Sequence, residues 1–189
     1  MTDTTALTAS ERTFLRDLAG EWVSAAAAGK RGPDPRDLAE ARNLEPGPSL
    51  RENRGAFVTL TRDGALRGCI GYIEGIKPLM DAVAENAASA AVRDPRFPPV
   101  TPDEVPALEI EISALSPLRR VRGPEDIIIG THGILLVQGG RQAVFLPQVA
   151  TEQGWDLETT LDHLALKAGL PPGAWRDNTE FLVFTAEVF

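Results

Sequence analysis

A chain of 189 residues, 43% hydrophobic and 24% charged, carries enough apolar surface for one domain or for two modest lobes, and excludes solenoid arrays and extensive disorder. The 19 basic and 27 acidic residues leave a net charge of −8, a field that repels phosphate backbones and anionic membrane surfaces, so nucleic acid is not expected as a partner. The single cysteine, Cys69, excludes an internal disulfide, a multi-cysteine zinc site and an iron–sulfur cluster held by this chain alone, and neither a metal nor another cofactor is expected.

Residues 1–30 intersperse Glu, Arg and Asp and lack the basic start and continuous apolar stretch of a signal peptide. No window approaches the ~18 apolar residues of a membrane span, so a cytoplasmic chain with no membrane partner is expected. Thr8-Ala9-Ser10-Glu11 reads as a capping box, and Phe14, Leu15, Leu18 and Trp22 recur at helical spacing until Gly29, which predicts a first helix. Gly32, Pro33, Pro35, Pro46, Gly47 and Pro48 predict mostly loop around a short helix at Asp37 to Arg42. Ala56 to Thr61 and Ala65 to Ile73 are β-rich runs separated by Arg62, Asp63 and Gly64, an antiparallel hairpin. Pro78 opens a helix running to about Arg93, which Asp94-Pro95-Arg96-Phe97-Pro98-Pro99 cannot continue.

Thr101 and Glu104 offer a second capping box before a strand at Ala107 to Leu115. Strands are then expected at Asp126 to Ile129, Gly133 to Val137 and Gln142 to Leu146, the last two joined through Gly139 and Gly140. Helices follow at Pro147 to Gln153 and, capped by Asp156, from Leu157 to Gly169, before a final strand at Phe181 to Phe189. Without regular βαβ alternation the fold class is α+β: two lobes, each an antiparallel sheet with flanking helices. The larger lobe is expected to hold both termini, about residues 1–120 plus 178–189, and the smaller inserted lobe about 121–177, with the cleft between them a favoured place for a site.

The run Leu66-Arg67-Gly68-Cys69-Ile70-Gly71 concentrates the candidate chemistry. Strand alternation puts Arg67, Cys69 and Gly71 on one face, with a guanidinium about 7 Å along the strand that would favour thiolate at Cys69. Gly68 and Gly71 mark a bulge or the close approach of another backbone. A lone cysteine is also commonly a small buried hydrophobe. Glu109 and Glu111 share a face with Ser113, the pattern of a solvated strand face, although Glu111 could serve as counter-ion to Arg67. His132, in the turn Gly130-Thr131-His132-Gly133, is the better placed of two histidines; His163 lies off the apolar stripe of its helix and is expected at the surface. Arg119, Arg120 and Arg122, flanked by Glu125 and Asp126, read as a salt-linked edge.

Leu66 to Gly71 resembles the six-residue signature of the AMMECR domain family, known in prokaryotes as AmmeMemoRadiSam system protein A. Arg96-Phe97-Pro98-Pro99, Leu108 to Ser113, His132-Gly133-Ile134, Leu146-Pro147, Trp155-Asp156 and Lys167-Ala168-Gly169 fall in the family's order, over roughly residues 10–189. Tyr72 stands where many relatives carry a small residue. The resemblance implies that the hexamer faces the cleft; with the residues weighed above, the candidate binding set is Arg67, Gly68, Cys69, Gly71, Arg96, Glu111 and His132. It implies no established reaction, and it implies a Memo-like protein and a radical-SAM protein as partners, with any iron–sulfur chemistry on the partner.

Two functions of different class follow. One is an accessory or binding component that anchors a carboxylate or phosphate on Arg67. The alternative is a cleft enzyme with Cys69 as nucleophile, His132 as base and Glu111 as orienter, which requires the cysteine and histidine to meet.

Overall fold

The Thr8 hydroxyl accepts the Glu11 N–H, and the Glu11 carboxylate accepts the Thr8 N–H at 2.8 Å, so the first helix begins where its capping box stands. The computed structural model describes residues 6–189. Helix α1 (Ala9–Ala27) buries Phe14, Leu15, Leu18 and Val23 along one stripe. α2 (Pro35–Ala41) and the unexpected α3 (Pro48–Arg51) each open on a proline, where the missing N–H has no helical partner to lose. β1 (Ala56–Arg62) and β2 (Ala65–Tyr72) form the predicted hairpin, whose two-residue turn takes Asp63 and Gly64 to φ of 52° and 75°, the left-handed pair that matches strand twist.

α4 (Leu79–Val92) is built from small residues on its buried side, with Ala82, Ala84, Ala87, Ala90 and Ala91 all buried. Their size lets the helix backbone settle close to β1 and β2, and the buried Asn86 side chain donates to the Ala56 carbonyl at 3.0 Å. A short 3₁₀ turn at Val105–Ala107 leads into β3 (Leu108–Leu115), which pairs with β1.

β4 (Arg119–Arg120) begins a second sheet. The strand expected at Asp126 to Ile129 does not form: Pro124–Asp126 make a 3₁₀ turn, and the Asp126 carboxylate is drawn to the Arg122 N–H and guanidinium, which curls the chain back. β5 (Gly133–Gln138) and β6 (Arg141–Phe145) form a hairpin through Gly139 and Gly140, both at positive φ. α5 (Pro147–Gln153) and α6 (Leu157–Lys167) follow, the second capped by Asp156, which accepts the Thr159 N–H at 2.8 Å. The expected final strand is two strands, β7 (Glu180–Phe184) and β8 (Ala186–Val188).

The fold is α+β with two four-stranded antiparallel sheets, ordered β2-β1-β3-β8 and β4-β7-β5-β6. The chain divides into two compact units, one running to Pro117 and rejoined by Glu187–Phe189, the other Leu118–Ala186. These limits differ from the expected return of residues 178–189 to the first sheet. β7 stays with the second unit because Phe181 and Val183 are buried in its core beside Leu136, Leu161 and Leu164. Only the last residues join the first sheet, where Ile112 and Phe189 exchange backbone hydrogen bonds of 2.8 and 3.1 Å. Among the described residues no helix is long and apolar enough to cross a membrane.

Candidate functional site

β2 carries the hexamer along one edge of the first sheet. Its first glycine is set by a helix: a Cβ on Gly68 would lie 2.2 Å from the Ala90 carbonyl oxygen of α4. Its second is set by the neighbouring strand, since a Cβ on Gly71 would lie 2.3 Å from the Ala56 oxygen and 2.4 Å from the Phe57 ring. Leu60 pairs with Gly68 but Thr61 with Leu66, so Arg67 is the extra residue of a β-bulge. Tyr72 turns toward α4, where burial and the charges of Glu85 and Asp81 push its phenol up to about 12. Tyr72 therefore lies on the core side of the strand, its buried hydroxyl without a hydrogen-bond partner among the described residues.

An edge residue exposes its N–H and C=O unless something covers them. At Cys69 two side chains do so. The Asp94 carboxylate accepts the Cys69 N–H at 2.8 Å, and Nη2 of Arg96 donates to the Cys69 carbonyl at 3.2 Å. Arg96 and Asp94 are themselves joined by two hydrogen bonds of 2.9 and 2.6 Å, and Asp94 also accepts the Arg96 N–H at 3.1 Å. The pair thus imitates the backbone of a missing neighbouring strand. Its carboxylate is sealed, with 2% of the Asp94 side chain exposed, whereas 54% of the Arg96 side chain remains open to solvent. The Thr59 hydroxyl donates to Sγ of the half-buried Cys69 at 3.4 Å.

Arg67 is occupied elsewhere. Its Nε and Nη2 reach the two oxygens of Glu104 at 3.1 and 3.2 Å, with 12% of the arginine side chain exposed. That guanidinium, followed by the Thr101 N–H, holds Glu104 at about 2. Glu111 is not its counter-ion, because β1 stands between their strands. Glu111 instead faces Thr59, and Thr59 faces Cys69, so the three form one row across the sheet, Cys69 and Glu111 about 10 Å apart at two strand spacings. Glu109 and Glu111 are exposed, as a solvated face requires, while Ser113 on the same face is buried.

His132 belongs to the second unit. Its Nδ1 accepts the Ile128 N–H at 3.1 Å, which leaves the ring proton on Nε2, and burial followed by the Arg119 charge lowers its pKa. His163 is exposed as expected, stacked on Trp155 at 4.0 Å between ring centres. The first unit therefore contains no histidine, and it brings Arg67, Gly68, Cys69, Gly71, Arg96 and Glu111 onto one sheet and its margin.

The AMMECR1 family profile matches residues 17–189. The chain belongs to the AMMECR1 family. It is 47% identical over 147 residues to a protein of Methanothermobacter thermautotrophicus, covering 74% of this chain and 77% of that one. A protein of Methanosarcina acetivorans is 39% identical over 188 residues, with 97% and 92% covered. The crystal structure of an uncharacterised protein from Pyrococcus horikoshii superposes with a TM-score of 0.81 at 38% identity, covering 93% of this chain and 88% of that one.

In this AMMECR1-family chain the site residues that sequence reasoning missed are Asp94 and Glu104. Asp94 had a local signal: an Asp before Pro that accepts the N–H two residues on is a turn former. Its reach to Cys69 spans 25 residues and has no local signal. The Arg96 guanidinium, aided by the Cys69 and Arg96 N–H groups, holds the Asp94 carboxyl well below the usual carboxylate range despite burial. A depressed folded pKa means stability fully present above the unfolded value of about 4 and lost as pH falls toward the folded one. The urea-midpoint difference between wild type and Asp94→Asn should therefore be constant above about pH 5 and shrink steadily below about 4. A difference independent of pH would show that the Asp94 charge contributes nothing to the edge.

Proposed function

We propose that this chain is a cytoplasmic accessory or binding component of a protein-modification system with a Memo-like protein and a radical-SAM protein, and that it binds through the face and edge around Leu66–Gly71. The observation that carries the reading is the Arg96 guanidinium, fixed in orientation by a buried carboxylate yet half open to solvent beside Cys69. A preorganised guanidinium of this kind suits a carboxylate or phosphate on a partner, because its rotamer is settled before binding. The partners' identities rest on the family resemblance, and the lone reduced thiol and acidic surface suit the cytoplasm. Arg67, held by Glu104, acts in this reading as a support of the bulge rather than as the anchor.

Affinity capture of the tagged chain from its source cells, read by mass spectrometry, tests the proposal. Wild type should retain a Memo-like or a radical-SAM protein, Cys69→Ala should retain it equally, and Arg96→Ala should weaken retention about tenfold or more. Full retention by Arg96→Ala, or recovery of neither partner, overturns it. Fast, stoichiometric labelling of native Cys69 by iodoacetamide would instead favour the enzyme alternative, in which Cys69 is the nucleophile.

A further inference from the structure

Away from the hexamer, α2, α3, the segment between them and the start of α4 enclose an open cavity of about 820 Å³. Four ionisable side chains line it: the guanidiniums of Arg36 and Arg51 and the carboxylates of Glu40 and Glu45. Its apolar lining with accessible surface is half-buried Leu44, Pro46 and Pro78. Arg36 and Glu40 stand four residues apart on α2, a spacing at which opposite charges can close on each other. Here they do not: Arg36 turns to Asp81 at 3.3 Å, and among the described residues no ion pair joins either guanidinium to either lining carboxylate. Opposite charges thus share one cavity without neutralising each other across it.

We infer that this cavity binds a zwitterion of the α-amino acid type, with an apolar side chain laid on Leu44, Pro46 and Pro78. The ligand's carboxylate goes to Arg51, the lining guanidinium that no acid engages among the described residues, and its ammonium goes to Glu40 and Glu45. A simple anion would meet the repulsion of two carboxylates, a simple cation that of two guanidiniums, and a neutral apolar molecule would engage none of the four charges. The volume lies within the range of small-molecule sites, about 300 to 1,000 Å³, and exceeds what one amino acid fills, so a free amino acid and a short peptide are two sources of the same chemistry.

Calorimetric titration of the full chain with leucine, Leu-Leu, N-acetyl-leucine and leucinamide tests the inference. Leucine or Leu-Leu should bind, with the singly charged analogues about tenfold or more weaker, and tighter binding of Leu-Leu would identify a peptide as the source. Arg51→Ala and Glu45→Ala, both at exposed positions that leave the core intact, should each weaken the zwitterion about tenfold, while Arg96→Ala should leave it unchanged. The inference is overturned if neither zwitterion binds at about 10 mM, if either singly charged analogue binds as well as leucine, or if both cavity variants bind like wild type.

Discussion

Glu187→Ala should destabilise the chain by about 3 to 5 kcal/mol, because it leaves a buried cation without its counter-charge. The cation is Arg54, with 1% of its side chain exposed. Its Nε donates to the Leu115 carbonyl at 2.9 Å and its Nη2 reaches the Ala114 carbonyl at 3.4 Å, but among the described residues its one ion-pair partner is Glu187, at 3.1 Å. The other Glu187 oxygen accepts the Leu7 N–H at 3.1 Å and Nη2 of Arg12 at 2.9 Å. One carboxylate on the last strand thereby ties together the entry to α1, α1 itself and the approach to β1. Arg12→Ala should cost about 1 kcal/mol or less, since Arg12 is 41% exposed and water replaces its contact. Urea unfolding of both variants checks this, and a Glu187→Ala loss as small as the Arg12→Ala loss would refute the assignment of Glu187 as the essential counter-ion.

That tie also shows where sequence reading stops. The helices were legible because their signals are local: Thr8 with Glu11, Pro78 at a helix start, and Asp156 followed by Leu157, Leu161 and Leu164. The hairpin turns were legible from Asp63-Gly64 and Gly139-Gly140 for the same reason. The final segment misled because Phe181 to Phe189 reads as one β-rich run, whereas its two halves answer to different cores. The strand expected at residues 126–129 failed because a carboxylate four residues from Arg122 curls the chain instead.

At the site, the hexamer itself was legible, including the demand that its glycines meet another backbone. The partners of its side chains were not. Alternation by two assumes an unbroken ladder, and the bulge at Arg67 breaks it, which is why Arg67 finds Glu104 in the segment before β3 rather than standing beside Cys69. Which guanidinium lies next to the cysteine depends on where the chain goes after α4. The Arg96 guanidinium, held by Asp94, donates to the Cys69 carbonyl at 3.2 Å, and this places Arg96 where Arg67 had been expected.

Gly68→Ala should cost about 3 kcal/mol, at the upper end for an overpacked site, because the added methyl meets helix backbone and not a side chain that can turn away. The ideal Cβ position is 2.2 Å from the Ala90 oxygen and 3.1 Å from its carbonyl carbon, so trimming Ala90 to glycine gives no relief. β2 and α4 must separate. Asp94 lies two residues beyond the end of α4 and grips the Cys69 N–H one residue beyond Gly68, so the separation that admits the methyl also pulls the carboxylate off the strand edge. The two losses are therefore coupled. Asp94→Ala alone should cost about 2 kcal/mol, for the unsatisfied N–H and the released Arg96. Adding Gly68→Ala to it should cost less than Gly68→Ala costs in wild type, by about 1 kcal/mol, because the edge contact has already gone. Urea unfolding of the four proteins of this cycle measures the coupling, and strictly additive losses would mean that the glycine and the edge pair act independently. With coupling, the hexamer's first glycine has its physical explanation: it lets α4 lie close enough to deliver Asp94 and Arg96 to Cys69.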